Sequence, residues 1–104
     1  MFIRKFQHDC TIKGKDFIVC LFYKGTSLNN FGQLIDVKQC RIMLKTILSD
    51  IHFEPTMEKL AIHISRSMEK FKLTSVELEK VRVYRGFRET DCVDYIETDG
   101  KEVA

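Results

Sequence analysis

The sequence predicts an α+β domain: two helices lying on one face of a four-stranded antiparallel sheet. Three observations lead there. DFIVCLFYK, from Asp16 to Lys24, is rich in β-branched and aromatic residues and apolar on both sides, as a central strand is. Two amphipathic helical patterns then follow one another, opened by Asp36 and by Thr56, with no strand between them. A further strand pattern, KVRVY, comes straight after the second helix. The order is strand, strand, helix, helix, strand, strand. Sequential neighbours usually pair, so this order gives two hairpins around a helix pair. It does not give a split βαβ unit, whose helices lie between strands.

Phe2 to His8 alternates weakly and reads as the first strand, with Phe2, Arg4, Phe6 and His8 on one face and Ile3, Lys5 and Gln7 on the other. A short connection containing Gly14 leads to the second strand. There Phe17, Val19, Leu21 and Tyr23 share one face, and Ile18, Cys20 and Phe22 the other. Such a strand must be covered twice. The helices cover one face; the other calls for a partner subunit or a second sheet, which predicts a homo-oligomer. GTSLNNFG, from Gly25 to Gly32, is a turn-rich loop.

Asp36 opens the first helix, with Gln39 three residues on as in a capping box. Val37, Cys40, Leu44, Ile47, Leu48 and Ile51 form its apolar face, and Pro55 ends it near His52. Thr56 is the N-cap of the second helix, and Glu58 sits in the first turn, where a negative charge suits the dipole. Met57, Leu60, Ala61, Ile64, Met68 and Phe71 recur at helical spacing as the core-facing stripe, with His63 beside it on the rim. Lys80 to Tyr84 is the third strand and Asp91 to Glu97 the fourth, joined by RGFRET.

One hundred and four residues suffice for one core, so residues 1–97 are read as a single domain and 98–104 as a loose tail. The net charge is +2, with acids and bases interspersed, which argues against a nucleic-acid partner. No apolar run approaches the ~20 residues of a membrane span. MFIRKFQ lacks the apolar core and cleavage site of a signal peptide, so a cytoplasmic location is expected. Cys10, Cys20, Cys40 and Cys92 show no metal-finger spacing, and Cys20 and Cys40 read as small buried hydrophobes.

Three stretches carry a family resemblance: KGKDFIVCLFYKG (Lys13 to Gly25), FGQLIDVKQCRIML (Phe31 to Leu44), and PTMEKLA followed by VRVY within Pro55 to Tyr84. In that order and spacing the chain resembles the 6-pyruvoyl-tetrahydropterin synthase and 6-carboxytetrahydropterin synthase family. Its strand begins His-Gly-His, its first helix opens (V/I)-D-F-x-x-(L/I)-K, and its second helix and next strand read P-T-x-E-N-(L/I)-A and V-x-V-x-E-T. The resemblance implies the tunnelling fold (ββααββ), whose subunits join sheet to sheet into a β-barrel and hold a pterin-like ligand between subunits.

The departures bear on the chemistry. Lys13-Gly14-Lys15 stands where the family has the His-Gly-His of its zinc site. An ammonium has three donors and no lone pair, so it repels a cation rather than binding it. His8 alone, on the first strand, does not make a metal site, and neither metal nor cofactor is expected. The family's base is a cysteine just before that motif, matched by Cys10, and its Asp–His pair is matched by Asp50 and His52, separated by Ile51. The pterin-anchoring glutamate is replaced by Arg85, and a Glu-Thr pair comes four residues later at Glu89 and Thr90. Either a longer loop lets Glu89 reach the pocket, or the anchor is gone.

Lys13 and Lys15 alternate, so on a strand they point the same way, and with Arg85 or Arg88 they would form an anion or ligand site. One of them would serve in acid–base work if its pKa were lowered, as in the metal-free dihydroneopterin aldolases that share the fold. Otherwise they are solvated charges at a hairpin. The reading is therefore a zinc-independent relative of these synthases that binds a pterin- or purine-like ligand between subunits. The alternatives are a metal-free lyase or aldolase on a dihydropterin, using Cys10, Asp50, His52 and the lysines, or a non-enzymatic binding or assembly protein.

Overall fold

The computed structural model describes residues 1–71, 76–86 and 95–99. β1 (Phe2–Ile12) and β2 (Lys15–Gly25) form a long hairpin, followed by α1 (Val37–Ser49), α2 (Met57–Met68) and β3 (Val76–Arg85). A 3-10 turn, Glu69–Phe71, closes α2. The strands pair antiparallel in the order β1, β2, β3. The predicted α+β architecture, two helices against an antiparallel sheet, is the one observed. The backbone of Tyr95–Asp99 runs antiparallel beside β3. The start of the predicted last strand, 91–94, lies outside the described residues, as do Cys92 and 100–104.

The hairpin is longer than its alternation suggests, because its connection is only Lys13 and Gly14. Both have positive φ, 50° and 79°. That pair of left-handed residues matches a type I′ turn, whose twist suits two antiparallel strands. With so short a loop, Cys10, Thr11 and Ile12 are drawn into β1 and pair with Phe17, Asp16 and Lys15.

β3 also starts earlier than predicted. Val76 and Leu78 are even-numbered and Val81 and Val83 odd, so a regular strand would place the two pairs on opposite faces. The register shifts between Phe22, paired with Lys80, and Tyr23, paired with Leu78. This bulge leaves Glu79 over and turns Val76 and Leu78 to the same side as Val81 and Val83.

The helices start as their caps predict. The Asp36 carboxylate accepts from the Gln39 amide at 3.2 Å, and the Thr56 hydroxyl from the Lys59 amide at 3.1 Å. α1 stops at Ser49 rather than near His52, with Asp50 as its C-cap. Cys40, Met43, Leu44, Ile47 and Leu48 from α1 and Leu60, Ala61, Ile64 and Met68 from α2 are buried against Phe6, Phe17, Val19, Leu21, Tyr23, Val81 and Val83. Both helices thus cover one sheet face.

The opposite face corrects one premise of the sequence reading, that this side of β2 lies bare. Ile18 and Cys20 are 0 % exposed within the single chain. Phe22 beside them is covered by cations: Lys80 Nζ and the Arg82 guanidinium each lie 5.1 Å from its ring centroid. Arg82 also donates to the Tyr84 hydroxyl at 3.1 Å. Ile18, Cys20 and Tyr84 form a small buried cluster on this face with Phe22 packed against it, and the aliphatic stems of Lys80 and Arg82 run to that ring.

Ser65, missed by the apolar stripe, is fully buried on α2, and among the described residues its hydroxyl has no hydrogen-bond partner. An unsatisfied buried polar group costs about 1–3 kcal/mol. Ser65→Ala removes that cost and raises helix propensity, so it should stabilise the fold by about 1 kcal/mol, read as a higher midpoint in a thermal melt.

Candidate functional site

The tip of the β1–β2 hairpin carries the residues from which the sequence suggested chemistry. Lys15 lies on the face of β2 that also carries Phe17, and Lys13 occupies the turn. Both ammoniums reach the connection between α1 and α2. Lys13 Nζ donates to the Phe53 carbonyl at 3.1 Å. Lys15 Nζ donates to Glu54 Oε1 at 2.6 Å and to the Pro55 carbonyl at 3.5 Å. The Lys15 hydrogen bond and charge hold the Glu54 carboxyl below its ordinary value. Three consecutive loop residues are therefore held by one dipeptide-spaced pair of cations.

Arg85 packs beside the same hairpin tip, opposite Phe17. Its Nη1 donates to the Asp16 carbonyl at 3.0 Å, and the Gly86 amide donates to that carbonyl at 2.8 Å. The Arg85 guanidinium sits 5.1 Å above the Phe17 ring. Arg85, where the sequence resemblance would put a pterin-anchoring carboxylate, is thus a cation packed on the sheet. Glu89, Thr90 and Arg88 lie outside the described residues.

Cys10 faces the helix side and packs against the core beside Phe6 and Ile12. Burial first, then the charges of Asp9 and Asp16, push its thiol up to about 11. At neutral pH it is a protonated thiol and a poor base. His8, half-buried on the same face, is pushed below its ordinary value by burial and by Lys45 and Arg41, against a smaller opposing pull from Asp9. It is therefore mostly neutral at pH 7. His52 Nε2 sits 3.0 Å from Asp50 Oδ1, so the predicted Asp–His pair exists. It stands in solvent, with the two side chains 86 % and 77 % exposed. Among the described residues no hydrogen bond joins this pair to Cys10 or His8, and no three His, Cys, Asp or Glu side chains group to hold a metal ion.

Sequence reasoning missed Phe53 and Glu54 as partners of the lysines. The available signal was a carboxylate in the inter-helix loop, opposite in charge to the hairpin. It also left His63 on the rim. The His63 ring packs edge-on to Phe53 at 5.5 Å, and its Nε2 lies 3.1 Å from the Ile47 carbonyl. A carbonyl only accepts, so that nitrogen donates, and it ties α2 to α1. At the other end of the sheet a shallow cleft of about 350 Å³ is lined by Met1, Lys24, Gly25, Thr26, Val76 and Glu77.

Compared with known proteins, the chain matches no family model and no curated protein.

Two predictions follow from this geometry. A lowered carboxyl stabilises the fold above the ordinary carboxylate range and loses that contribution as the pH falls through the lowered value. Lys15→Met should therefore lower the melting temperature at neutral pH but not in acid, where Glu54 is protonated in both proteins. Cys10 alkylation by iodoacetamide, followed by mass spectrometry, should be slow at neutral pH and accelerate with each pH unit toward about 11. Rapid labelling at neutral pH contradicts the raised thiol.

Proposed function

We propose that the protein is a non-catalytic, zinc-independent assembly and binding subunit on a scaffold resembling the tunnelling fold. Its fourth strand completes the sheet, its copies join by sheet edges into a barrel, and it takes a flat pterin- or purine-like ring between subunits. One observation carries the reading. Lys13 and Lys15, which replace the metal-binding imidazoles of the resembling family, are both spent on the inter-helix loop. The remaining candidates support it. Cys10 is protonated, and the Asp50–His52 pair is solvated, so neither is set for proton transfer in the way a catalytic group is.

A lyase reading needs a neutral lysine and a thiolate at neutral pH. The Lys15 ammonium is engaged by Glu54 at 2.6 Å, and burial with two nearby carboxylates disfavours the thiolate at Cys10. The sheet supports self-association through its edge, since β1 is an 11-residue outer strand without proline, and such edges pair readily.

Light scattering and thermal shift test the proposal together. The protein should elute as more than one chain. Neopterin, biopterin or guanine should raise its melting temperature, because a ligand that binds only the native state stabilises by mass action. Lys13→Met and Lys15→Met should leave that shift in place. Turnover of a dihydroneopterin-type substrate, lost in either variant, overturns the non-catalytic reading.

A further inference from the structure

We infer that β1 pairs with β1 of a second copy across a two-fold axis at Gln7, in one defined register. The inference rests on the self-association reading above and adds the edge, the symmetry and the register. Its starting point is the two-residue turn. That turn makes Ile12 and Lys15 a hydrogen-bonded pair, and the β1–β2 register then runs unbroken to Phe2 and Gly25. Hydrogen-bonded and non-hydrogen-bonded pairs alternate along an antiparallel ladder. Phe2, Arg4, Phe6, His8, Cys10 and Ile12 therefore direct their backbone groups at β2. Ile3, Lys5, Gln7, Asp9 and Thr11 direct theirs at the open edge, and all five side chains are exposed.

Two copies of this edge form a ladder only when outward residues face outward residues. A shift by one residue sets outward groups against inward ones. Among the allowed registers, the one centred on Gln7 pairs the whole strand, Phe2 to Ile12, with nothing left over. It also brings Lys5 opposite Asp9 of the partner subunit, and Asp9 opposite the partner's Lys5. Opposite charges directly across a ladder are favourable. The registers centred on Phe6 or His8 lose both pairs and leave strand ends unpaired. The axis stands normal to the sheet, so the helices of both copies lie on the same side. On that side Phe2, 49 % exposed in one chain, meets Ile12 of the partner subunit. Arg41 and Lys45, which flank His8, repeat across the axis and oppose the joint, a term that salt screens.

Charge swaps read by light scattering and sedimentation test this register. Lys5→Asp or Asp9→Lys alone should weaken the dimer roughly tenfold or more, since each sets like charges opposite one another twice. Lys5→Asp with Asp9→Lys should restore it. Gln7→Pro removes a backbone donor that faces away from β2, so it should break this joint and lower the mass of the assembly, with an unchanged circular dichroism spectrum. Single swaps without effect, or a double swap that fails to recover, overturn the inference. A wild-type assembly that ignores all these variants keeps self-association and removes this joint. A wild-type monomer at every concentration removes both.

Discussion

The two-residue turn at Lys13 and Gly14 is the constraint from which most of this structure follows. Its left-handed backbone fixes which β1 residue faces which β2 residue over the full length of the hairpin. That register decides that Phe6, Cys10 and Ile12 join Phe17 and Val19 under the helices, while Lys5, Gln7 and Asp9 flank Phe22, Cys20 and Ile18 on the far side. It also decides which backbone groups of the edge strand remain open. A longer, looser loop would fix none of these.

The same turn brings two ammoniums to the α1–α2 connection. A loop between helices carries carbonyls that no helix satisfies, and it is an expensive place to leave acceptors without donors. Lys13 and Lys15 supply donors from another part of the chain, and Glu54 supplies the countercharge. His63 adds a further tie from α2 to the Ile47 carbonyl. The hairpin tip is thus a brace between sheet and helices. The positive charge of Lys13 and Lys15 is thus directed at the chain's own inter-helix loop.

Some of this was legible in the sequence, and the division is physical. Helix starts were readable because capping is local: Asp36 and Thr56 bind amides three residues away. The double-sided character of β2 was readable from composition alone. The start of β3 was not, because the bulge at Glu79 breaks the alternation on which strand reading depends. The partners of Lys13 and Lys15 were not, because they lie 40 and 39 residues away. The protonation state of Cys10 depends in part on Asp16, which reaches it only across the folded hairpin. Cation cover over Phe22 was hidden for the same reason, since Lys80 and Arg82 are remote in sequence.

The most direct test of the brace is a carboxyl-carbon NMR titration of Glu54 in the wild type and in Lys15→Met. The account predicts that Glu54 titrates below its ordinary carboxylate value in the wild type and moves up toward that value in the variant, where only the weaker pull of Lys13 and Lys59 remains. A wild-type Glu54 that titrates as a free surface carboxylate, unchanged by the loss of Lys15, would contradict it.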